Sequence, residues 1–304
     1  MKKRIGSALL GGLLMGAMAL TMAACSSTPA STESGGTDSA GGATAAVVGT
    51  VTASGSSALL PLAEDAAEYF KQDNPDVSIT LNAGGSGTGL RQVADGAVDI
   101  GNSDIAAEER LEADEAAQLV DHRVCVVTMA PIVNASLYEQ GVTNLTKQQL
   151  QDIFTGVITN WSEVGGPDQN IVLITRPSTS GTRALFQEYA LDGKEEITSS
   201  LETDDSGTLL QSVADNEGAI GYVALSYLVN NTSVAPVAVD GVEPTLENTY
   251  NGTYPVWGYE HMYTKGEPTG AVKAYLDFIQ SEEYGARMEE LGYGVTSKMT
   301  VSRE

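Results

Sequence analysis

Three stretches of the chain share one design, in which a β-prone run ends, glycine and hydroxyl residues follow, and a helical pattern begins. They are GSSALLP (55–61), GGSGTG (84–89) and STSGTR (178–183). The first N–H groups of a helix have no intrahelical partner, and the aligned peptide dipoles put partial positive charge there. Glycine lets a ligand approach the backbone and Ser or Thr adds a hydroxyl, so each stretch can cradle an anion. Any one of them alone reads as an ordinary N-cap, because Ser and Thr are preferred at that position anyway. Three in one chain, with Arg176 just before the third and Asp104 after the second, point to an anion site.

Other phosphate and hydrolytic motifs fail on particular residues. A P-loop needs Gly-Lys-Ser/Thr, which GGSGTGL lacks, and Leu90 stands where the dinucleotide fingerprint has its third glycine. No Gly-x-Ser-x-Gly elbow occurs, and only His122 and His261 could serve as a base. Both histidines lie in β-prone runs and read as structural or surface residues. Two histidines and one spare cysteine make a transition-metal site improbable on composition, and nothing in the chain calls for a cofactor.

The elements that must position these residues alternate between strand-like and helix-like patterns, as in an α/β protein. Strands are expected at 47–55, 77–85, 98–104 and 171–175; helices are expected from Leu59 to about Asn74-Pro75, at 108–119, 147–154, 181–190 and 208–215, and finally at 270–281 and 283–291. Two longer β-prone runs, 122–134 and 253–266, read as chain crossings between two lobes. No fixed-period repeat is present.

Ahead of this body, Lys2, Lys3 and Arg4 precede an apolar run to Leu20 and small residues up to Ala24, the pattern of a secretory signal peptide over 1–24. TMAAC resembles a lipobox, with Cys25 as the lipidated residue. Residues 25–46 are mostly Ser, Thr, Gly and Ala and read as a flexible tether. Removal of the signal leaves 13 basic against 40 acidic residues, a net of −27, which disfavours nucleic acid as a partner. A buried anion answers to its local donors instead, since distant charge is screened over about 10 Å. Cys125 has no partner once Cys25 carries lipid, so no disulfide framework is available.

TASGSSALLPLAE, NAGGSGTGLRQVADGAVDIGNSD, NLTKQQLQDIFTGVITNWSEVGG, ITRPSTSGTRALFQEY and NEGAIGYV, in this order, resemble the phosphate-binding proteins of high-affinity phosphate ABC transporters. The resemblance spans roughly residues 47–294. It implies a two-lobed periplasmic-binding-protein fold of type II, each lobe a mostly parallel sheet flanked by helices and joined by two crossing strands. Lobe I would be residues 47–128 and 255–304, and lobe II residues 129–254. It implies a receptor that is not an enzyme and probes phosphate through Ser56, Ser57, Ala58, Ser86, Thr88, Asp104, Arg176, Ser180, Gly181 and Thr182. Its partners would be inorganic phosphate and an ABC permease, with a palmitoylated, monomeric chain anchored on the outer face of a cell membrane, a Gram-positive surface rather than a periplasm. A receptor for another tetrahedral oxyanion and a secreted phosphatase on the same scaffold are the competing readings.

Two departures from the family pattern bear on the site. Whether Ser57 donates by hydroxyl or by amide is open, and Ser178 stands where relatives carry an acid two residues after the arginine. Another carboxylate is then needed to orient Arg176, and Asp104 is the candidate. An ionised Asp104 only accepts hydrogen bonds, so it demands a proton on the ligand, which phosphate carries at neutral pH and sulfate does not.

Overall fold

The computed structural model describes residues 46–199 and 201–303. In chain order these form β1 (Gly49–Gly55), α1 (Leu60–Asp73), β2 (Val77–Ala83), α2 (Ser86–Ala94), β3 (Ile100–Ser103), α3 (Ala113–Ala116) and β4 (Leu119–Asn134). There follow α4 (Ala135–Glu139), β5 (Asn144–Leu145), α5 (Lys147–Phe154), β6 (Val172–Thr175), α6 (Gly181–Ala190), β7 (Leu201–Glu202), α7 (Ser206–Ala214) and β8 (Ala219–Ala224). The last elements are β9 (Val234–Pro236), β10 (Ala238–Val239), α8 (Leu246–Tyr250), β11 (Trp257–Lys265), α9 (Gly270–Ile279) and α10 (Glu282–Glu290).

Local chemistry sets most of these boundaries. Helix α1 opens with Pro61 in its first turn, where the missing N–H costs nothing, and closes at Asn74, whose amide donates to the Phe70 carbonyl just ahead of Pro75. Its buried stripe of Leu62, Ala63, Ala66 and Phe70 packs on α9, where the Phe70 and Tyr275 rings meet edge to face at 5.7 Å. Helices α5 and α6 have the bounds expected from their periodicity, each capped by the hydroxyl before it, Thr146 and Ser180.

The expected helix over 108–119 is not continuous. It divides into a 3-10 turn at Ala107–Glu109 and the four-residue α3, because the Glu109 and Glu115 carboxylates fold back to accept from the amides of Ala106 and Glu112. Each reversal starts a new turn, and it brings Ala107, Leu111 and Ala116 into one small apolar cluster.

The main sheet runs in the order β2-β1-β3-β11-β4-β8-β6-β7. Pairings are parallel toward both ends and antiparallel through β11 and β4. Strand β4, 16 residues long, changes partner within its length: Leu119–Thr128 pair with β11 and Met129–Val133 with β8. The second crossing is the chain entering β11, where Met129 donates to the Val256 carbonyl. Two α/β halves are joined through these two crossings. The second half is centred on Phe154, Phe186 and Tyr222, with the latter two rings stacked at 4.1 Å.

The signal peptide, the Cys25 lipidation and the tether lie outside the described residues, apart from Ala46 at the tether's end. Among the described residues no helix is long and apolar enough to cross a membrane.

Candidate functional site

Strands β1, β2, β3 and β6 all end, at their carboxyl edge, on residues of the three cradles or on Asp104 and Arg176. This is the edge where open α/β sheets present their ligands. Gly55 is obligatory there: it has φ +138°, and a Cβ would stand 2.1 Å from the Asn102 carbonyl oxygen. The close approach lets the Ser56 amide donate to that carbonyl at 2.9 Å, which fixes the first cradle against the end of β3.

The two halves meet through the cradles. The Thr182 hydroxyl of α6 donates to Asp104 Oδ2 at 2.6 Å, and the Gly87 amide of α2 donates to the Thr179 carbonyl at 3.2 Å. Ser57 Oγ donates to the Asp204 carbonyl at 2.9 Å and accepts from the Ser206 amide at 3.2 Å. Ser56, Ser86, Asp104, Arg176, Ser180 and Thr182 are all at most 2 % exposed.

The hydroxyls divide by what they have already accepted. Ser56 Oγ accepts from the Ala58 and Leu59 amides, Ser86 Oγ from the Asp104 amide, and Ser180 Oγ from the Arg183 amide. A hydroxyl has one proton to give besides its lone pairs, so Ser56 and Ser86 can still donate to an anion, while the Asp204 carboxylate competes for the Ser180 proton. The structure brings six expected residues together this way, with Gly181 between Ser86 and Asp104. Ser57 turns its hydroxyl to Asp204 and Ser206 of the opposite half. The Ala58 amide points at Ser56 Oγ at 3.0 Å, and half-buried Thr88 of α2 lies against Gly84 just ahead of that helix.

Arg176 is fully buried and held by three bonds: Nη1 to the Asp204 carbonyl at 3.3 Å, and Nη2 to Ser206 Oγ at 3.0 Å and the Tyr222 carbonyl at 3.3 Å. The expectation that Asp104 orients this guanidinium does not hold, because Asp104 spends Oδ2 on Thr182 and makes no hydrogen bond to the arginine. The compensating carboxylate is Asp204, which lies against Gly85 at the cap of α2, accepts from Ser180 and faces the Arg176 charge. Burial pushes its carboxyl above the usual range against those two favourable contacts. Behind the arginine, Glu196 receives both the Arg183 guanidinium at 3.3 Å and the Tyr222 hydroxyl at 3.1 Å, and burial raises its carboxyl too.

Ser206 and Asp204 escaped the motif reading. Ser206-Gly207-Thr208 repeats the triplets Ser86-Gly87-Thr88 and Ser180-Gly181-Thr182, and it opens α7 as they open α2 and α6. That third triplet was the signal available. Its role differs, because its serine steadies Arg176 and Ser57 rather than facing the cleft between the cradles.

Two atoms define what the site can hold. Arg176 Nε, a donor, and Asp104 Oδ1, an acceptor, are buried without partners. An anion made only of acceptors satisfies the first and is repelled by the second. A small oxyanion that keeps one proton satisfies both.

A two-lobed α/β body with hydroxyls, helix N-termini and one guanidinium converging between its halves defines the class of extracytoplasmic solute-binding receptors. Residues 40–283 match the family model described as the PBP superfamily domain. The chain is 49 % identical over 257 residues to phosphate-binding protein PstS of Bacillus subtilis, covering 84 % of each chain. Among solved structures, a protein of Clostridium perfringens described as a phosphate ABC transporter substrate-binding protein with bound phosphate is 37 % identical, with TM-score 0.73 over 81 % of this chain and 98 % of that one. An ABC-type phosphate transport receptor from Vibrio cholerae is 28 % identical with TM-score 0.62, over 80 % and 99 %. The chain belongs to the PBP superfamily and, within it, to the phosphate-binding proteins of phosphate ABC transporters.

Proposed function

We propose that this chain is an extracytoplasmic receptor that binds monohydrogen phosphate between its two halves and delivers it to an ABC permease. The observation that carries the reading is the pair of partnerless buried atoms, Arg176 Nε and Asp104 Oδ1, within one set of cradles. Phosphate at neutral pH offers bare oxygens to the guanidinium and to the Ser56 and Ser86 hydroxyls, and its P–OH to Asp104, whose other oxygen is held by Thr182. Charge-assisted bonds of this kind are the strong ones. A phosphate-bound relative from Clostridium perfringens and the B. subtilis relative support the ligand.

The same reading puts lobe I at residues 47–128 and 255–304 and lobe II at 129–254; the change of partner along β4 between Thr128 and Met129 supports it. Bonds between the halves, such as Thr182 to Asp104 and Ser57 to Asp204, exist only when the lobes are closed, so ligand contacts made in that state shift the population toward it. The chain acts as a monomer without catalytic turnover, held at the outer face of the membrane by lipid on Cys25. Calorimetric titration with phosphate and with sulfate at neutral pH tests the function. Binding of phosphate alone is expected; equal binding of sulfate moves the assignment to oxyanions at large, and hydrolysis of phosphate esters moves it to an enzyme.

A further inference from the structure

Strand β11 carries a glutamate that the site described so far does not use. Glu260 is fully buried, and neither of its carboxyl oxygens has a hydrogen-bond partner. Its position follows from register: β11 runs antiparallel to β3 with His261 opposite Ser103, so the next step along both chains sets Glu260 opposite Asp104. The two side chains lie within hydrogen-bonding reach of each other. On the other flank Glu260 pairs with Cys125 of β4, and the register slips there, since the following His261 pairs with Arg123 and Val124 is passed over. Such an irregularity re-aims side chains beside functional sites.

Two buried carboxylates in contact cannot both be ionised, because each already lacks water and the second charge meets the first in a poor solvent. The hydrogen bonds say which one keeps the proton. Asp104 Oδ2 accepts from Thr182, a donor that favours the ionised form, whereas Glu260 accepts from nothing. The remaining titratable groups facing Glu260 are the buried Cys125 thiol and the Tyr293 hydroxyl, and neither supplies positive charge. Burial first, and the Asp104 charge second, push the Glu260 carboxyl well above its ordinary range.

We propose that Glu260 is a positioning residue of the anion site, a protonated carboxylic acid that donates its hydrogen bond to Asp104 and holds that carboxylate as a fixed acceptor for the ligand's proton. The proton stays on Glu260 throughout, and a carboxylate has lone pairs for Thr182, Glu260 and a ligand together. The arrangement fixes the Asp104 carboxylate as an acceptor beside the ligand, so the hydrogen of that contact is demanded from the ligand. The inference rests on the phosphate-receptor reading for its consequence and on buried geometry for the proton itself.

The test uses two variants of the whole chain. Glu260→Gln keeps the size and a donor, while Glu260→Leu keeps the approximate size and removes the donor; replacing a buried polar group by an apolar one of similar shape is compatible with folding. Infrared spectra at neutral pH are expected to show a protonated-carboxyl band in the wild type that Glu260→Gln abolishes and Asp104→Asn shifts. Phosphate titration is expected to leave Glu260→Gln within about threefold of wild type and to weaken Glu260→Leu by about tenfold or more. Equal phosphate affinity in the two variants, or a wild-type spectrum whose protonated-carboxyl band survives in Glu260→Gln, overturns the proposal. If the wild type binds no phosphate, the receptor reading fails, while the infrared band still decides where the proton is.

Discussion

Gly181, at the start of α6, lies so close to Ser86, at the start of α2, that a Cβ on the glycine would stand 2.2 Å from the serine Oγ and 2.7 Å from its Cβ. These residues belong to opposite halves, and their contact brings two helix N-termini together. Gly181 is not among the glycines held at positive φ, so its backbone accepts any residue and the constraint is purely one of space between the halves. Gly181→Ala is therefore predicted to fold normally, to close poorly and to bind phosphate at least about tenfold more weakly. Small-angle scattering should show that phosphate contracts the wild type and not the variant; contraction of both would place the contact outside the closing motion.

Among the described residues, Arg176 is the one arginine or lysine that is buried. Truncating one partner of a buried charge-assisted pair costs about 2–5 kcal/mol, so Arg176→Ala should weaken phosphate by about thirtyfold or more. Arg176→Lys should recover little of this, because three separate acceptors and the partnerless Nε use the fork of the guanidinium. Titration of both variants checks it, and a loss below about threefold in Arg176→Ala would remove the arginine from the site.

Much of this arrangement was legible in the amino-acid sequence because it depends on short-range chemistry. Ser56, Ser86 and Ser180 stand where a strand gives way to a helix, and capping preference and glycine content mark such places. The crossings at β4 and β11 were legible as β-prone runs too long for one half. What escaped is contact across the fold. Glu260 meets Asp104 only through antiparallel register between strands some 150 residues apart in the chain, and nothing in the local pattern of β11 separates a buried acid from an exposed one. Asp204 replaces the acid missing at Ser178 from another loop, and Ser57 turns its hydroxyl to that loop. The break at Arg110 in the glutamate-rich stretch was missed because its glutamates act as caps, a use that composition alone does not reveal.

The raised Glu260 carboxyl makes a prediction about stability against pH. The folded state keeps a proton that the unfolded chain releases near the ordinary glutamate pKa of about 4.3, so this stabilisation is complete below that pH and is lost as pH rises. The slope is up to about 1.4 kcal/mol per pH unit while one proton separates the states. Glu196 and Asp204, also raised, act in the same sense, so the wild type is compared with Glu260→Gln to isolate one group. Urea midpoints measured between about pH 5 and about pH 8 should show the variant gaining on the wild type as pH rises. A constant difference would contradict the assignment.

The anchoring prediction concerns Cys25. Cys25→Ala should leave phosphate affinity unchanged and release the protein from the membrane fraction into the medium, as a chain with no other hold on the bilayer would be. Retention of the variant in membranes that lack the permease would mean that lipid on this cysteine is not what holds it.

Asp104 is predicted to read the ligand's proton. As an ionised carboxylate it only accepts hydrogen bonds, with Oδ2 already taken by Thr182, so a ligand oxygen facing it must bring a hydrogen. A site built on one obligatory hydrogen bond can reject an analogue lacking it by as much as about 10⁴-fold. Asp104→Asn replaces a charged acceptor by an amide that can also donate. The direct measurement is a pair of titrations, phosphate and sulfate, on wild type and Asp104→Asn at one neutral pH and one salt concentration. The expected result is a wild type that takes phosphate and rejects sulfate, and a variant whose selectivity collapses chiefly because sulfate binding rises. A variant that keeps the full phosphate-to-sulfate ratio, or a wild type that binds both anions equally, would contradict it.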